Sequence, residues 1–93
     1  MSILSEKQVE QQLSKLHDWA LEGRAIRKQF TFKDFPDAVA FVNRLVPDAQ
    51  AADHHPDIDI RYNKVRLIVS THSKGGLTEL DFGLAERIDT LAE

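Results

Sequence analysis

Three of the four histidines in the chain, His54, His55 and His72, lie between residues 54 and 72. His54 and His55 are neighbours in the stretch DHHPD, residues 53–57, and His72 follows a strongly β-prone run. Imidazole gains and loses a proton near neutral pH, so several imidazoles beside one cavity suit general acid–base catalysis. A single predicted hairpin separates the pair from His72, and the pattern therefore indicates proton-transfer chemistry.

Two other interpretations of these histidines stay open on residue types alone. Adjacent histidines before a proline are also typical of a solvated loop, where exposed polar residues need no special explanation. His54, His55, His72 and a carboxylate could instead ligate zinc. A zinc site is less favoured, because adjacent side chains on an extended chain point in opposite directions and no H-E-x-x-H motif occurs.

Asp81 and Trp19 each have a structural and a functional interpretation. Asp81 follows Thr78 by three residues, which is the N3 position of a capping box, where a carboxylate stabilises the positive end of a helix. Trp19, the only tryptophan, is typical of a packed core but could also stack on a flat ligand. A capping role for Asp81 needs no active site.

Composition limits the class of protein. The chain has 93 residues, 42% of them apolar and 29% charged, which predicts one compact soluble domain over residues 1–93. Its net charge of -3, with both signs interspersed, predicts no direct binding to nucleic acid. No apolar run reaches the roughly 18 residues of a membrane span. There is no cysteine, and the start MSILSEKQ lacks a secretory pattern, so we expect a cytoplasmic protein.

The two segments that flank the histidines are predicted to be hairpins. Apolar and polar residues alternate over residues 18–32 around a turn at Glu22-Gly23. A second hairpin is predicted from Asp57, with its turn at Asn63-Lys64 and a β-prone last strand that runs to Thr71. These strands would hold the histidines in loops on a rigid sheet.

Helical periodicity predicts three helices around these hairpins. The first runs from Glu6 to Leu16, the second begins at Phe35, and the third follows a cap at Thr78. Pro47 is expected to kink or shorten the second helix. The predicted buried side of that helix contains Val39, Val42, Leu45, Val46 and Ala49. The resulting order, αββαββα, predicts an α+β fold with a four-stranded antiparallel sheet covered by helices on one face.

With these elements in place, the chain resembles the pterin-4a-carbinolamine dehydratases, also called 4a-hydroxytetrahydrobiopterin dehydratases, over nearly its whole length. The resemblance lies in His54-His55-Pro56, in Tyr62 seven residues after the second histidine, in His72 ten residues further on, and in Asp81 in the helix that follows. It extends through the runs YNKVRLIVSTHSKGGLTELD and DWALEGRAIRKQFTFKDF.

The resemblance implies a homodimer or homotetramer that dehydrates a reduced pterin without a metal ion or other cofactor. The reaction removes water from a 4a-hydroxytetrahydropterin and gives the quinonoid dihydropterin, which recycles the pterin of aromatic amino-acid hydroxylases. Matching positions assign catalysis to His54, His55, His72 and Asp81, and substrate binding to His55, Trp19 and Tyr62. We expect His54 and His72 to exchange protons, His55 to hold the pterin and Asp81 to orient an imidazole.

The resemblance also implies a non-enzymatic alternative, because some members act as dimerisation cofactors or assembly scaffolds. Members of the scaffold kind tend to lose the histidines that this chain keeps, which favours the enzyme.

Two positions depart from the family pattern. Gln50 stands where members usually carry an acid, and Ile58 where many carry an aromatic residue, so the charge near the imidazoles and the second stacking wall are expected to differ.

Overall fold

The computed structural model describes residues 2–93 and places in them three α-helices and four β-strands. The elements are α1 Glu6–Leu13, β1 Ala20–Glu22, β2 Ala25–Thr31, α2 Phe35–Ala52, β3 Asp57–Arg61, β4 Lys64–Val69 and α3 Glu79–Ala92. A short 3-10 helix, His72–Lys74, lies between β4 and α3. The predicted fold class and the order αββαββα are confirmed.

The four strands form one antiparallel sheet in the order β1-β2-β4-β3, so β1 and β3 are its edges. Ala20, Arg27, Ile68 and Asp57 stand side by side across it. Because β3 and β4 run in opposite directions, the start of β3 and the end of β4 meet at one end of the sheet. The stretch DHHPD and His72 are attached at that end.

Both hairpin turns differ by one residue from the prediction. The first turn is Gly23-Arg24 and the second is Tyr62-Asn63, and each begins with a residue in the left-handed region, at φ 60° for Gly23 and φ 54° for Tyr62. The last strand ends at Val69, two residues earlier than predicted, and Thr71 makes an isolated bridge with Gly76. The pairing register, which depends on the partner strand, decides these boundaries.

The first helix begins at the predicted capping box and ends earlier than predicted. The Ser5 hydroxyl accepts from the Gln8 N–H, and the Gln8 side chain accepts from the Ser5 N–H. The helix ends at Leu13, and Leu16 lies beyond it, because the Lys15 and Leu16 N–H groups donate to carbonyls only three residues back. This tightened turn ends the α-helical pattern.

The second helix is longer than the proline suggested, and its buried side matches the prediction only in part, since Leu45 and Ala49 are buried as predicted. It continues past Pro47 to Ala52, and Asp53 ends it in the left-handed conformation at φ 49°. The buried positions are Ala38, Phe41, Leu45 and Ala49, whereas Val46 is 49% exposed and Val39 is half-buried. Two apolar stripes lie side by side on this helix, and the stripe that contains the Phe41 ring faces the sheet, where it packs on Phe30 and Phe32.

The core lies between one face of the sheet and the helices. Alternate residues of β2 and β4 are buried there against α2 and α3, and they are Ile26, Phe30, Val65, Leu67 and Val69. The opposite face is polar, with Glu22 paired to both Arg27 and Arg66. One layer of helices on one face of the sheet leaves the sheet ends open, where the histidines lie.

Candidate active site

The end of α2 positions His54. After Asp53 turns the chain, the His54 N–H donates to the Ala49 carbonyl at 3.1 Å, which folds the imidazole back toward the core. His54 is 9% exposed, and its Nε2 lies 2.6 Å from Oδ1 of Asp81. A contact this short between imidazole and carboxylate is a charge-assisted hydrogen bond.

Asp81, which lies at N3 of α3, is fully buried, and both of its carboxylate oxygens are engaged. Oδ1 meets His54, while Oδ2 accepts from the Thr78 N–H and from the Thr71 hydroxyl, each at 2.8 Å. The capping role and the imidazole-orienting role, which the sequence left as alternatives, are both present in the same side chain.

The Asp81 carboxylate determines which nitrogen of His54 is free. An ionised carboxylate only accepts hydrogen bonds, so Nε2 of His54 carries the proton toward Oδ1. Within residues 2–93 no fully buried side-chain nitrogen or oxygen lacks a partner, and Nδ1 of His54 has no partner in the protein, so Nδ1 is at least partly exposed. A ring held this way can take a proton on Nδ1, and the carboxylate then stabilises the imidazolium that forms.

His55, unlike His54, has a neutral hydrogen-bond partner. Its Nε2 lies 2.5 Å from Oε1 of Gln50 on the last turns of α2, and its side chain is exposed. Gln50, one of the two positions that depart from the family pattern, is therefore in direct contact with a predicted site residue. With the amide oxygen accepting from Nε2–H, Nδ1 of His55 is left free to accept.

His72 begins the 3-10 helix at the end of β4 and is exposed. The Ser70 hydroxyl lies 3.4 Å from its Nε2, which is too long for a strong hydrogen bond. Strand pairing brings His72 to the same end of the sheet as His54 and His55. Within residues 2–93, the only hydrogen bond between side chains of the four predicted catalytic residues is that between His54 and Asp81.

The other two predicted site residues lie elsewhere in the single chain. Trp19 precedes β1, at the sheet edge opposite β3; it is buried, and its indole N–H donates to both carboxylate oxygens of Asp89 at 3.1 Å. Tyr62 lies in the β3–β4 turn, at the far end of β3 from His55, and is 68% exposed. Their assignment to substrate binding stays a prediction.

Sequence reasoning missed Thr71, although a signal for it was present. Val65, Leu67 and Val69 share a parity and are fully buried, and Thr71 continues that parity past the strand end. A polar residue at an inward position must find a partner inside the protein. Thr71 is indeed buried and reaches Asp81, but the sequence could not name that partner.

No group of three or more histidine, aspartate or glutamate side chains in residues 2–93 is arranged to hold a metal ion. None of the helices in this range combines the length and apolar character that crossing a membrane requires. The fold and the site thus define an α+β domain that carries a histidine–carboxylate pair at the open end of an antiparallel sheet.

Comparison with known proteins identifies the family to which this domain belongs. Residues 2–91 match the family model described as Pterin 4 alpha carbinolamine dehydratase. A protein of Chloroflexus aurantiacus is 52% identical over 91 residues, which are 98% of each chain, and one of Nostoc is 48% identical over 89 residues, which are 96% of each. Both carry the provisional name of a pterin-4-alpha-carbinolamine dehydratase. The chain belongs to the pterin 4 alpha carbinolamine dehydratase family.

Two solved structures resemble the fold to different degrees. The crystal structure of a transcriptional coactivator/pterin dehydratase from Brucella melitensis has a TM-score of 0.94 and 36% identity, and the match covers 99% of this chain and 100% of that one. A pterin dehydratase-like protein described as a RuBisCO assembly factor in the alpha-carboxysome has a TM-score of 0.65 and 23% identity, covering 80% and 86%. The second likeness shows the fold alone.

Proposed function

We propose that this protein is a 4a-hydroxytetrahydropterin dehydratase, a hydro-lyase that uses its histidines as general acid and base. The buried contact between His54 and Asp81 is the observation that carries the proposal. Family membership and the provisional names of the relatives support the reaction class. The pair supports the mechanism, because it leaves Nδ1 of one imidazole free at the open end of the sheet.

The proposed reaction moves two protons and breaks one carbon–oxygen bond. The bond between C4a and the hydroxyl oxygen breaks, and the oxygen leaves as water after it receives a proton. The N5 proton is lost as the double bond between C4a and N5 forms, which gives the quinonoid dihydropterin. One proton is supplied and one is removed, so the reaction needs an acid and a base near the same ring but no redox partner.

We assign the base to His54 and the acid to His72. When His54 takes the N5 proton on Nδ1, the imidazolium that results is stabilised by the adjacent Asp81 carboxylate. His72 is exposed, so it can recover its proton from solvent after each turnover. His55, held by Gln50, would bind the pterin through Nδ1.

A coupled assay of 4a-hydroxytetrahydropterin breakdown, run with chelator present, tests this function. Purified protein should accelerate the breakdown, and His54→Ala should lower kcat by about 100-fold or more. His17→Ala is the matched control, because His17 is exposed and lies outside the site. No acceleration by folded wild-type protein would refute the proposal, and loss of rate only with chelator would favour a metal enzyme.

A protein-binding function is the second candidate, and exposed apolar residues on α2 favour it. Phe35 is 50% exposed and Val46 is 49% exposed, on the stripe of α2 that the sheet leaves uncovered. The similar protein from Brucella melitensis is described as a coactivator as well as a dehydratase. A folded protein that binds no pterin and accelerates nothing would leave this function as the better account.

We further propose that the enzyme is a homo-oligomer whose copies meet along β3. This strand is a sheet edge, and its Ile58 and Ile60 are 42% and 36% exposed although their strand partners Leu67 and Val65 are fully buried. An edge strand with exposed apolar side chains favours pairing with another strand. Light scattering on purified protein tests the assembly, and a monomer at micromolar concentration would contradict it.

A further inference from the structure

The hydrogen-bonded network behind Asp81 has a defined direction. The Thr71 hydroxyl donates its single proton to Oδ2 of Asp81 at 2.8 Å. The Thr71 and Thr78 hydroxyls are 2.9 Å apart, and since the Thr71 proton is already used, the Thr78 hydroxyl must donate to the Thr71 oxygen. Thr78 and Asp81 are fully buried, and Thr71 is nearly so. The acceptor to which each of the two hydroxyls donates its proton is therefore fixed.

Thr71 also supports the turn that carries His72. The Thr71 carbonyl accepts from the N–H groups of Lys74 and Gly75, at 3.0 and 3.1 Å, and its N–H donates to the Gly76 carbonyl at 3.2 Å. These backbone bonds close the 3-10 helix that His72 begins. The side chain of Thr71 thus reaches the partner of one predicted catalytic histidine, and its backbone holds the other.

We propose that Thr71 is a positioning residue that fixes the Asp81 carboxylate against His54 while holding the turn of His72, so that the two histidines face one substrate. The proposal rests on the proposed function for its catalytic part, but the orientation of His54 is a property of the folded protein alone. Without the Thr71 hydroxyl, Oδ2 would keep one donor instead of two, and the buried Thr78 hydroxyl would lose its acceptor. The carboxylate would then be free to rotate away from Nε2.

Thr71→Val is the informative substitution, because valine keeps the β-branched shape and removes the hydroxyl. Thr71→Ser is its counterpart, since serine keeps the hydroxyl and removes a methyl group. Thr90→Val is the control for a hydroxyl lost elsewhere, because Thr90 is exposed on α3 and donates only to the Glu86 carbonyl at 3.2 Å. Circular dichroism and thermal unfolding establish that each variant is folded.

Two measurements on each folded variant decide the outcome. In Thr71→Val we expect kcat to fall about tenfold with KM changed by less than about twofold, and the Nε2–H signal of His54 in imidazole nitrogen NMR to weaken or disappear. Thr71→Ser should retain kcat within about threefold together with that signal, and Thr90→Val should match the wild type.

Three results would overturn the proposal. These are a Thr71→Val variant with the rate and the His54 signal of the wild type, equal losses in Thr71→Ser and Thr71→Val, and a loss of the same size in Thr90→Val. The NMR measurement separates this proposal from the function. If the wild type dehydrates nothing, but the His54 signal survives in Thr71→Ser and is lost in Thr71→Val, the positioning role stands and the proposed reaction fails.

Discussion

Asp81→Asn is the substitution that most sharply separates the two roles of this residue, because asparagine keeps its size but carries one acceptor and one donor group. In one orientation the amide oxygen takes the place of Oδ2 and keeps the donors Thr78 N–H and Thr71 O–H. The amide NH2 then faces Nε2 of His54. In the other orientation the NH2 faces the Thr78 N–H, so that two donors meet at about the present 2.8 Å. The first orientation is therefore favoured.

The favoured orientation places the imidazole in the wrong tautomer. Nε2 of His54 must accept from the amide, so the ring proton moves to Nδ1, the atom proposed to take the substrate proton. A hydrogen bond to a charged group, worth about 1.5–3 kcal/mol, is also lost, which alone corresponds to a factor of roughly 10–150 in rate. Because the base itself is disabled, we expect kcat to fall about 100- to 1,000-fold.

Stability should change much less than rate in this variant. The amide oxygen preserves the cap of α3, so the free energy of unfolding should fall by only about 1–2 kcal/mol in urea denaturation. Asp89→Asn is the matched control on the same helix, since it weakens the contacts to Lys28 and Trp19 away from the histidines. We expect a stability loss of about 1 kcal/mol from it, with kcat unchanged.

The coupled assay and imidazole NMR together can refute this reasoning. A folded Asp81→Asn variant that keeps kcat within about threefold would show that the orientation of His54 does not govern the rate. An equal fall of kcat in Asp89→Asn would show that loosening α3 is enough to explain the loss. An NMR spectrum in which Nε2–H of His54 persists in Asp81→Asn would contradict the tautomer argument directly.

Three further predictions concern Gln50, the exposed edge strand β3 and Pro47 inside α2. Gln50→Leu removes the hydrogen-bond acceptor of His55, and KM for the pterin should rise about 3- to 10-fold with kcat little changed. An unaltered KM would contradict the proposed role of His55 in substrate binding. Ile60→Lys places a charge on the exposed edge of β3 and should convert the assembly to a folded monomer in light scattering; an intact oligomer would exclude this edge. Pro47→Ala restores a helix N–H and should raise the free energy of unfolding by about 1–3 kcal/mol in urea; a loss of stability would mean that the proline fits its site.

The element order could be predicted from the sequence because it depends on local periodicity, whereas contacts between distant segments could not. The capping patterns at Ser5 and Thr78 and the alternation in the hairpins are readable from a few neighbouring residues, and they gave the right order. The buried side of α2 was predicted only in part. Leu45 and Ala49 are buried as predicted, but two apolar stripes compete on this helix, and only the packing of Phe41 on the sheet decides between them. Likewise, the contact between Gln50 and His55 depends on the left-handed turn at Asp53.

The site shows why local patterns stop short of mechanism. Asp81 meets Thr78 three residues away, Thr71 ten residues away and His54 27 residues away. The first contact needs only the first turn of α3, the second needs the turn after β4, and the third needs α2 packed beside α3. The capping contact therefore depends on local structure alone, whereas the orientation of His54 depends on the packing of distant elements. Because one carboxylate takes part in all three contacts, a substitution that spares the cap can still abolish the chemistry, and stability measurements alone would miss it.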